Sequence, residues 1–234
     1  MIMANQTFAM SFPEKRTFFL EGSELLKSDT NTVYTRSITN PLGAVKYINQ
    51  GENNTVYLLQ ATDTDSPYLA AGQYRSYKGN AGKSKVTIGR VKKNLGNKSH
   101  VGLIATNRDY QVGGSGSVVE FDSLINILDD YTLDLNYARS DTQEGNVNFI
   151  ETDDTFAGRT YAMDGESFSG TAKNIRLRWA VDKANAGIRF SDVSPTYRAH
   201  VGFVGRNDIK YRNYWYGRTF RSKGTIRKIN FNLN

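Results

Sequence analysis

Cysteine is absent, which excludes disulfides, thiolate catalysis and thiolate metal sites. Proline is scarce, at four in 234 residues, and no apolar run reaches the roughly 20 residues that a membrane-crossing helix needs. Mean hydropathy is −0.54. A β-barrel is still allowed, because its apolar residues occupy alternate positions and leave the average low. Histidine is nearly missing too. His100 and His200 are the only two, each in an apparent strand with no metal-ligand spacing around it, and both read as structural or lumen-facing. The opening residues, Met1-Ile2-Met3-Ala4-Asn5-Gln6-Thr7, have neither the basic start nor the apolar centre of a signal peptide. An envelope protein with this sequence is expected to carry its targeting segment upstream.

What the chain does have is alternation. Over residues 173–182, Ile175, Leu177, Trp179 and Val181 alternate with Arg176, Arg178, Ala180 and Asp182. Successive side chains of an extended chain point to opposite faces, so this is a strand with one apolar and one charged side. The theme recurs at residues 33–39, 44–48, 54–62, 84–92, 99–108, 118–128, 131–139, 186–190, 199–204, 207–220 and 225–233, with a weaker case at 156–168. Asn40-Pro41-Leu42-Gly43 reads as a stop, and residues 94–98 as a hairpin turn. Residues 63–82 and 140–155 read as polar loops, the first with a short strand near 73–77. Helix is expected only as short turns near residues 20–28. About ten or more strands at roughly ten-residue spacing define an all-β chain: an antiparallel up-and-down, transmembrane-type β-barrel or partial barrel.

Formal charge is +7, which fits an anionic partner such as nucleic acid, lipopolysaccharide or an acidic polysaccharide. The basic-aromatic run at residues 210–221, with Trp215 at its centre, could stack bases, form a bilayer girdle or stack on sugars. No nucleic-acid-binding signature surrounds it, so nucleic acid is not assigned as a partner. Gly82-Lys83-Ser84 lacks the upstream glycine of a phosphate loop, Tyr77 standing in its place, and a strand follows instead of a helix. Residues 113–117 likewise lack the spacing of a dinucleotide fingerprint. Carboxylates gather at Asp63/Asp65, Asp129/Asp130 and Glu151/Asp153/Asp154. Such groups can serve glycoside hydrolysis or hold a cation, but these lie in polar stretches and read as solvated loop charge.

Several blocks resemble one family. Phe12-Pro13-Glu14-Lys15-Arg16 with Phe18-Phe19-Leu20-Glu21-Gly22, then Tyr34-Thr35-Arg36-Ser37-Ile38, are similar to the opening of the DUF5916 domain. Residues 86–108, with Arg90-Val91-Lys92 and Ser99-His100-Val101-Gly102-Leu103, resemble its central hairpin. Val201-Gly202-Phe203-Val204-Gly205-Arg206-Asn207 resembles a recurring block that usually has proline where Gly205 stands. Ser37 stands where the family often has a second arginine. The resemblance implies a portion of a Gram-negative outer-membrane barrel, usually preceded by a signal peptide and a family 9-like carbohydrate-binding module. Members are often labelled membrane-associated hydrolases, without a catalytic motif to carry over.

Residues 1–32 are accordingly expected as a non-regular segment packed on the lumen side, and 33–234 as the antiparallel barrel portion. Ile175, Leu177 and Trp179, with Leu133, Leu135 and Tyr137, are expected to meet outer-membrane lipid. Lumen- or ligand-facing candidates are Glu14, Lys15, Arg16, Arg36, Arg90, Arg176, Arg178, Arg206 and Trp215. The charges of residues 12–22 are expected to pair with lumen residues such as Arg176 or Asp134, with Phe18 and Phe19 as anchors. No catalytic residue, metal ligand or cofactor is assigned. The expected function is passage, uptake or surface binding of glycans or related solutes in the cell outer membrane. A carbohydrate-active membrane-associated hydrolase and a soluble β-barrel binder with its apolar face inside are the alternatives.

Overall fold

The computed structural model describes residues 9–148, 150, 152–221 and 228–234. They form an all-β chain whose strands are β1 (Pro41–Gln50), β2 (Asn54–Asp63), β3 (Pro67–Ala71), β4 (Ser76–Asn80), β5 (Ser84–Gly96), β6 (Ser99–Tyr110), β7 (Ser115–Ile127), β8 (Tyr131–Gln143), β9 (Thr155–Phe156), β10 (Arg159–Thr160), β11 (Ser167–Val181), β12 (Ala184–Val193), β13 (Ile209–Arg221) and β14 (Lys228–Leu233). Ten of them make one antiparallel sheet in the order β1-β2-β5-β6-β7-β8-β11-β12-β13-β14. The ribbons β3–β4 and β9–β10 lie within its connections. Each sheet strand pairs with its neighbour in the chain, an up-and-down meander with β1 and β14 at its edges.

The two ends of the sheet differ. Residues 51–53, 97–98, 128–130 and 182–183 turn tightly at one end. Asn97 and Lys98 both hold positive φ, as a two-residue hairpin turn that matches strand twist requires. The other end carries residues 64–83, 111–114, 144–166 and 194–208, three of them long enough to fold back.

They fold back onto one face. Here the N-terminal segment, with a helical turn at Thr17–Leu20 and 3-10 turns at Ser23–Leu26 and Thr35–Ser37, covers the sheet. Its Phe19, Leu25, Leu26 and Ile38 bury themselves against Tyr57, Leu59, Val86 and Ile88 of β2 and β5. Gly22 makes the sharp turn with φ +75, and a Cβ there would collide with Ile48. Arg16 clamps the segment: it donates to Glu14 at 2.9 and 2.7 Å and to the Ile38 carbonyl at 2.6 Å. Burial pushes the Glu14 carboxyl up, but donors from Arg16, Thr35 and Lys15 outweigh it and hold the pKa at about 2.

Several expectations need correction. Residues 33–40 are part of this covering segment and not a strand, since Thr35, Ser37 and Ile38 are needed as buried contacts. The stop at Asn40-Pro41 is where β1 begins; an edge strand tolerates proline at its first residue because that N–H has no ladder partner to meet. Residues 63–82 hold the ribbon β3–β4, residues 156–168 hold a turn and the start of β11, and 199–204 are irregular. Glu151 and the start of the last expected strand, 225–227, lie outside the described residues. The charges of residues 12–22 pair neither with Arg176 nor with Asp134: Glu14 pairs within the segment with Arg16, and Glu21 reaches the sheet at Lys46 of β1, 2.8 Å away. Phe19 is an anchor, whereas Phe18 stays exposed beneath the Lys46 ammonium. Asp63 is no solvated loop acid. It is fully buried, accepts from the Thr39 and Asn40 amides at 3.0 and 2.8 Å, and lies 3.7 Å from buried Arg108.

His200 sits in the 194–208 connection instead of a strand. Its ring lies against Gly116, where a Cβ would collide with it, and it bonds Tyr110 at 3.0 Å and Thr142 at 3.2 Å. Burial, with Arg108 and Arg198 nearby, pushes its pKa down from 6.5 to about 3. The unfolded chain therefore takes up a proton that the folded chain refuses. The contribution of this group is complete above pH 6.5 and falls as the pH drops toward 3, by roughly 3 kcal/mol at pH 4.5. Acids whose pKa burial raises, Glu144 among them, work in the opposite direction, so the term is read by difference: between pH 7 and 4.5, denaturant titrations should show the parent losing more, or gaining less, than His200→Gln, and identical pH responses reject His200 as the source.

The opposite face is apolar, and none of the described residues outside the sheet covers it. Tyr47, Leu58, Val91, Leu103, Val119, Phe121, Tyr137, Ile175, Leu177, Phe190 and Tyr214 stand exposed on it. Toward the longer connections it turns polar at Gln60, Thr87, Asn107 and Ser117, and on the later strands nearer the tight turns, at Arg139, Lys173, Asp192 and Arg212. The apolar band crosses the strands on a diagonal. The row through Tyr57, central to the apolar pair Val56 and Leu58 of β2, reaches β12 at Val193. The apolar stretch of β12, residues 184–190, is centred on Gly187, six positions away (193 − 187) after six strand steps. With a rise of ~3.3 Å and a spacing of ~4.8 Å, that slope is about 35°.

Candidate functional site

At the end with the longer connections, three of them enclose a groove of about 600 Å3. The β3–β4 ribbon supplies Gly72–Arg75 and Tyr77, the 144–166 connection supplies Asp153–Ala157 and Tyr161, and the 194–208 connection supplies Pro195, Asn207 and Asp208. Why these segments meet can be read from their polar contacts. The Gly72 amide bonds the Arg75 carbonyl at 2.9 Å and closes the ribbon, while the Gly72 carbonyl accepts from the Asn207 amide at 3.3 Å. The Arg206 Nε donates to the Gln73 carbonyl at 2.8 Å, and Gln73 donates to the Asp208 carbonyl at 3.3 Å. Gly72 must lack a side chain, because a Cβ would meet the Tyr161 hydroxyl.

The floor is aromatic. Tyr77 and Tyr161 are stacked with centroids 4.1 Å apart and planes 33° from parallel, and Phe156 follows Tyr161 at 4.7 Å and 39°. Beneath them the buried Arg198 guanidinium lies 4.4 Å from the Phe156 centroid and donates to the carbonyls of Pro195 and Tyr197 at 3.2 and 3.1 Å. Burial pushes the Arg198 pKa down. The rim is polar: the Tyr77 hydroxyl donates to Asp154, with Asp153, Asp208 and Arg75 around the opening. Burial and the Asp154 carboxylate push the Tyr77 hydroxyl up to about 12, so it stays a donor at any ordinary pH. Flat faces ringed by carboxylate, amide and guanidinium groups can bind a polyhydroxylated ring, stacking its apolar side and hydrogen-bonding its hydroxyls.

The residues marked from the sequence do not converge here. Glu14, Arg16 and Arg36 hold the N-terminal segment, Arg36 through the Pro13 carbonyl at 2.9 Å, while Lys15 is exposed. Arg90 is buried on the covered face against Asp122 at 2.9 Å. Arg176 bonds Asp29 and lies 3.7 Å from Asp134. Arg178 is exposed at the Gly187 position, and Trp215 rests its ring on that glycine from the next strand. Only Arg206 touches the groove's walls. A second, polar cavity of about 490 Å3 lies between the N-terminal segment and the sheet, lined by Asp29, His100, Asp122, Asp134 and Asn136 among others. Of the acids singled out, Asp153 and Asp154 reach the groove, and they do have apolar neighbours, contrary to expectation. Tyr74, Tyr77, Phe156 and Tyr161 were missed. Their one signal is that aromatics stand in otherwise polar connections.

Searches of protein-family models, curated proteins and solved structures find no match to this chain.

Proposed function

We propose that this chain is a sector of an outer-membrane β-barrel that binds glycans or related polyhydroxylated solutes at its long-connection end. The observation that carries the membrane half is the uncovered apolar band. Its slope of about 35° is what strands tilted about 35–45° across a bilayer require. A soluble protein rarely exposes so large an apolar patch. The asymmetry between tight turns and long connections, and the resemblance to DUF5916 domains, support the same reading. The aromatic floor and carboxylate rim support the glycan half.

Binding is tested by calorimetry of the detergent-solubilised chain against a panel of neutral and acidic oligosaccharides. Tyr77→Ala and Tyr161→Ala should each weaken the best ligand about tenfold or more, as losing a central aromatic contact does. Tyr131→Ala, at the tight-turn end of the sheet, should leave affinity unchanged. Equal affinity in all three variants rejects the groove as the site. Should the panel be turned over instead, with Asp154→Asn abolishing turnover, hydrolysis replaces binding as the function.

A further inference from the structure

The neck of the 144–166 connection holds a carboxylate cluster that the groove does not use. Glu144 follows β8 directly, and Asp164 and Glu166 precede β11. Because β8 and β11 are paired, both chain ends of the connection meet. The Glu144 amide bonds the Glu166 carbonyl at 2.9 Å, and Gln143 reaches the Gly165 carbonyl at 3.1 Å. One oxygen from each acid lies within 4.8 Å of the others.

Acids gathered at a loop are common and prove nothing, but one of these is out of place. Glu144 is only 6% exposed, one of its oxygens belongs to the cluster, and its Oε2 is buried with no hydrogen-bond partner. A buried carboxylate oxygen without a donor is costly unless something positive faces it. Two cations are near and neither bonds this oxygen: Arg159 stands 3.7 Å from Glu166, and the buried Arg198 guanidinium, which donates to the Pro195 and Tyr197 carbonyls, acts on Glu144 only from a distance. Asp164 accepts from Thr160 at 3.1 Å. Burial and the two neighbouring acids push the Glu144 pKa up to about 7.

We infer that Glu144, Asp164 and Glu166 form a calcium site that ties the two ends of the 144–166 connection together. The donors are all hard carboxylate oxygens, which select Ca2+ or Mg2+ over softer metals. Oxygens 2.3–2.6 Å from one Ca2+ are at most about 5 Å apart, a limit these three meet, whereas Mg2+ dehydrates reluctantly and prefers one or two carboxylates with several waters to a cluster of protein carboxylates. The same connection carries Asp153, Asp154, Phe156 and Tyr161 to the groove, so the ion would fix one wall of it. The inference does not depend on what the groove binds.

The test is thermal unfolding of the full chain in detergent, with a chelator or with calcium, beside Tb3+ luminescence. Calcium a hundredfold above its Kd should raise the midpoint by about 5 °C or more. Glu144→Gln should lose both the shift and the luminescence, yet melt in chelator no lower than the parent, since it removes an unpaired buried charge. If that variant fails to fold, the exposed Asp164→Asn gives the same readout. An absent calcium shift in the parent, or an undiminished one in the variants, overturns the site. An equal shift with Mg2+ overturns its assignment to calcium.

Discussion

Leu177→Arg is expected to destabilise the protein in lipid vesicles by about 2–4 kcal/mol, the cost of a cationic side chain near the middle of a bilayer. Leu177 lies within the apolar stretch of β11, residues 175–181, and is exposed on the uncovered face. Two controls give the number its meaning. Arg178→Gln, on the next residue and the opposite face, should change stability by no more than about 0.5 kcal/mol. Gln60→Arg, on the uncovered face but in its polar part, should cost about 0–1 kcal/mol, as substitutions near the interface do. Reversible urea titration in vesicles measures all three. If Leu177 and Gln60 tolerate arginine equally, the band does not face lipid, and the membrane reading fails.

How much of this was legible beforehand depends on how far each feature is local. Period-2 alternation is written within a strand, so β7, β8 and β11 could be read directly, and so could the tight hairpins that join strands of the sheet. The stretch that forms β3–β4 reads as a loop with one short strand near 73–77, because Leu-Ala-Ala and Lys-Gly-Asn carry little β-branched or aromatic weight. What makes it a ribbon is packing of Tyr68 and Ala70 against Phe156 and Tyr161 from another connection and Phe168 at the start of β11. Residues 33–39 failed in the opposite way. Their β-rich composition is overridden by tertiary contacts, with Ile38 buried beside Phe19 and Arg16 bonding the Thr35 carbonyl. The groove is the extreme case, assembled from three connections that are distant in the chain. Alternation also left open which face meets the core; the covering of one face by the N-terminal segment resolves that, since Arg90 and Arg176 lie on the side it covers.

Asp122→Ala is the second large effect, and it asks whether that covered face is packed or wet. Arg90 on β5 reaches across β6 to Asp122 on β7, making a paired contact with one bond of 2.9 Å. The path is open because Gly102 lies between them on β6, and a Cβ there would strike the guanidinium. His100 Nε2 stands 3.4 Å from the same carboxylate. Arg90 is 3% exposed and Asp122 7%, so neither has bulk water to fall back on. Removing the aspartate leaves a buried guanidinium unpaired, which typically costs 3–5 kcal/mol. Replacing both, as Arg90→Met with Asp122→Leu, should recover most of the loss, because an apolar pair of similar volume has no charge to desolvate. The double-mutant cycle, run by urea unfolding in detergent, should therefore show strong coupling. Gly102→Ala should also destabilise, and by less in the double variant, where no guanidinium passes over it. A single-variant cost below about 1 kcal/mol would match a solvent-exposed pair instead. Water would then fill this side of the sheet, and the N-terminal segment would line an aqueous lumen rather than seal a packed core.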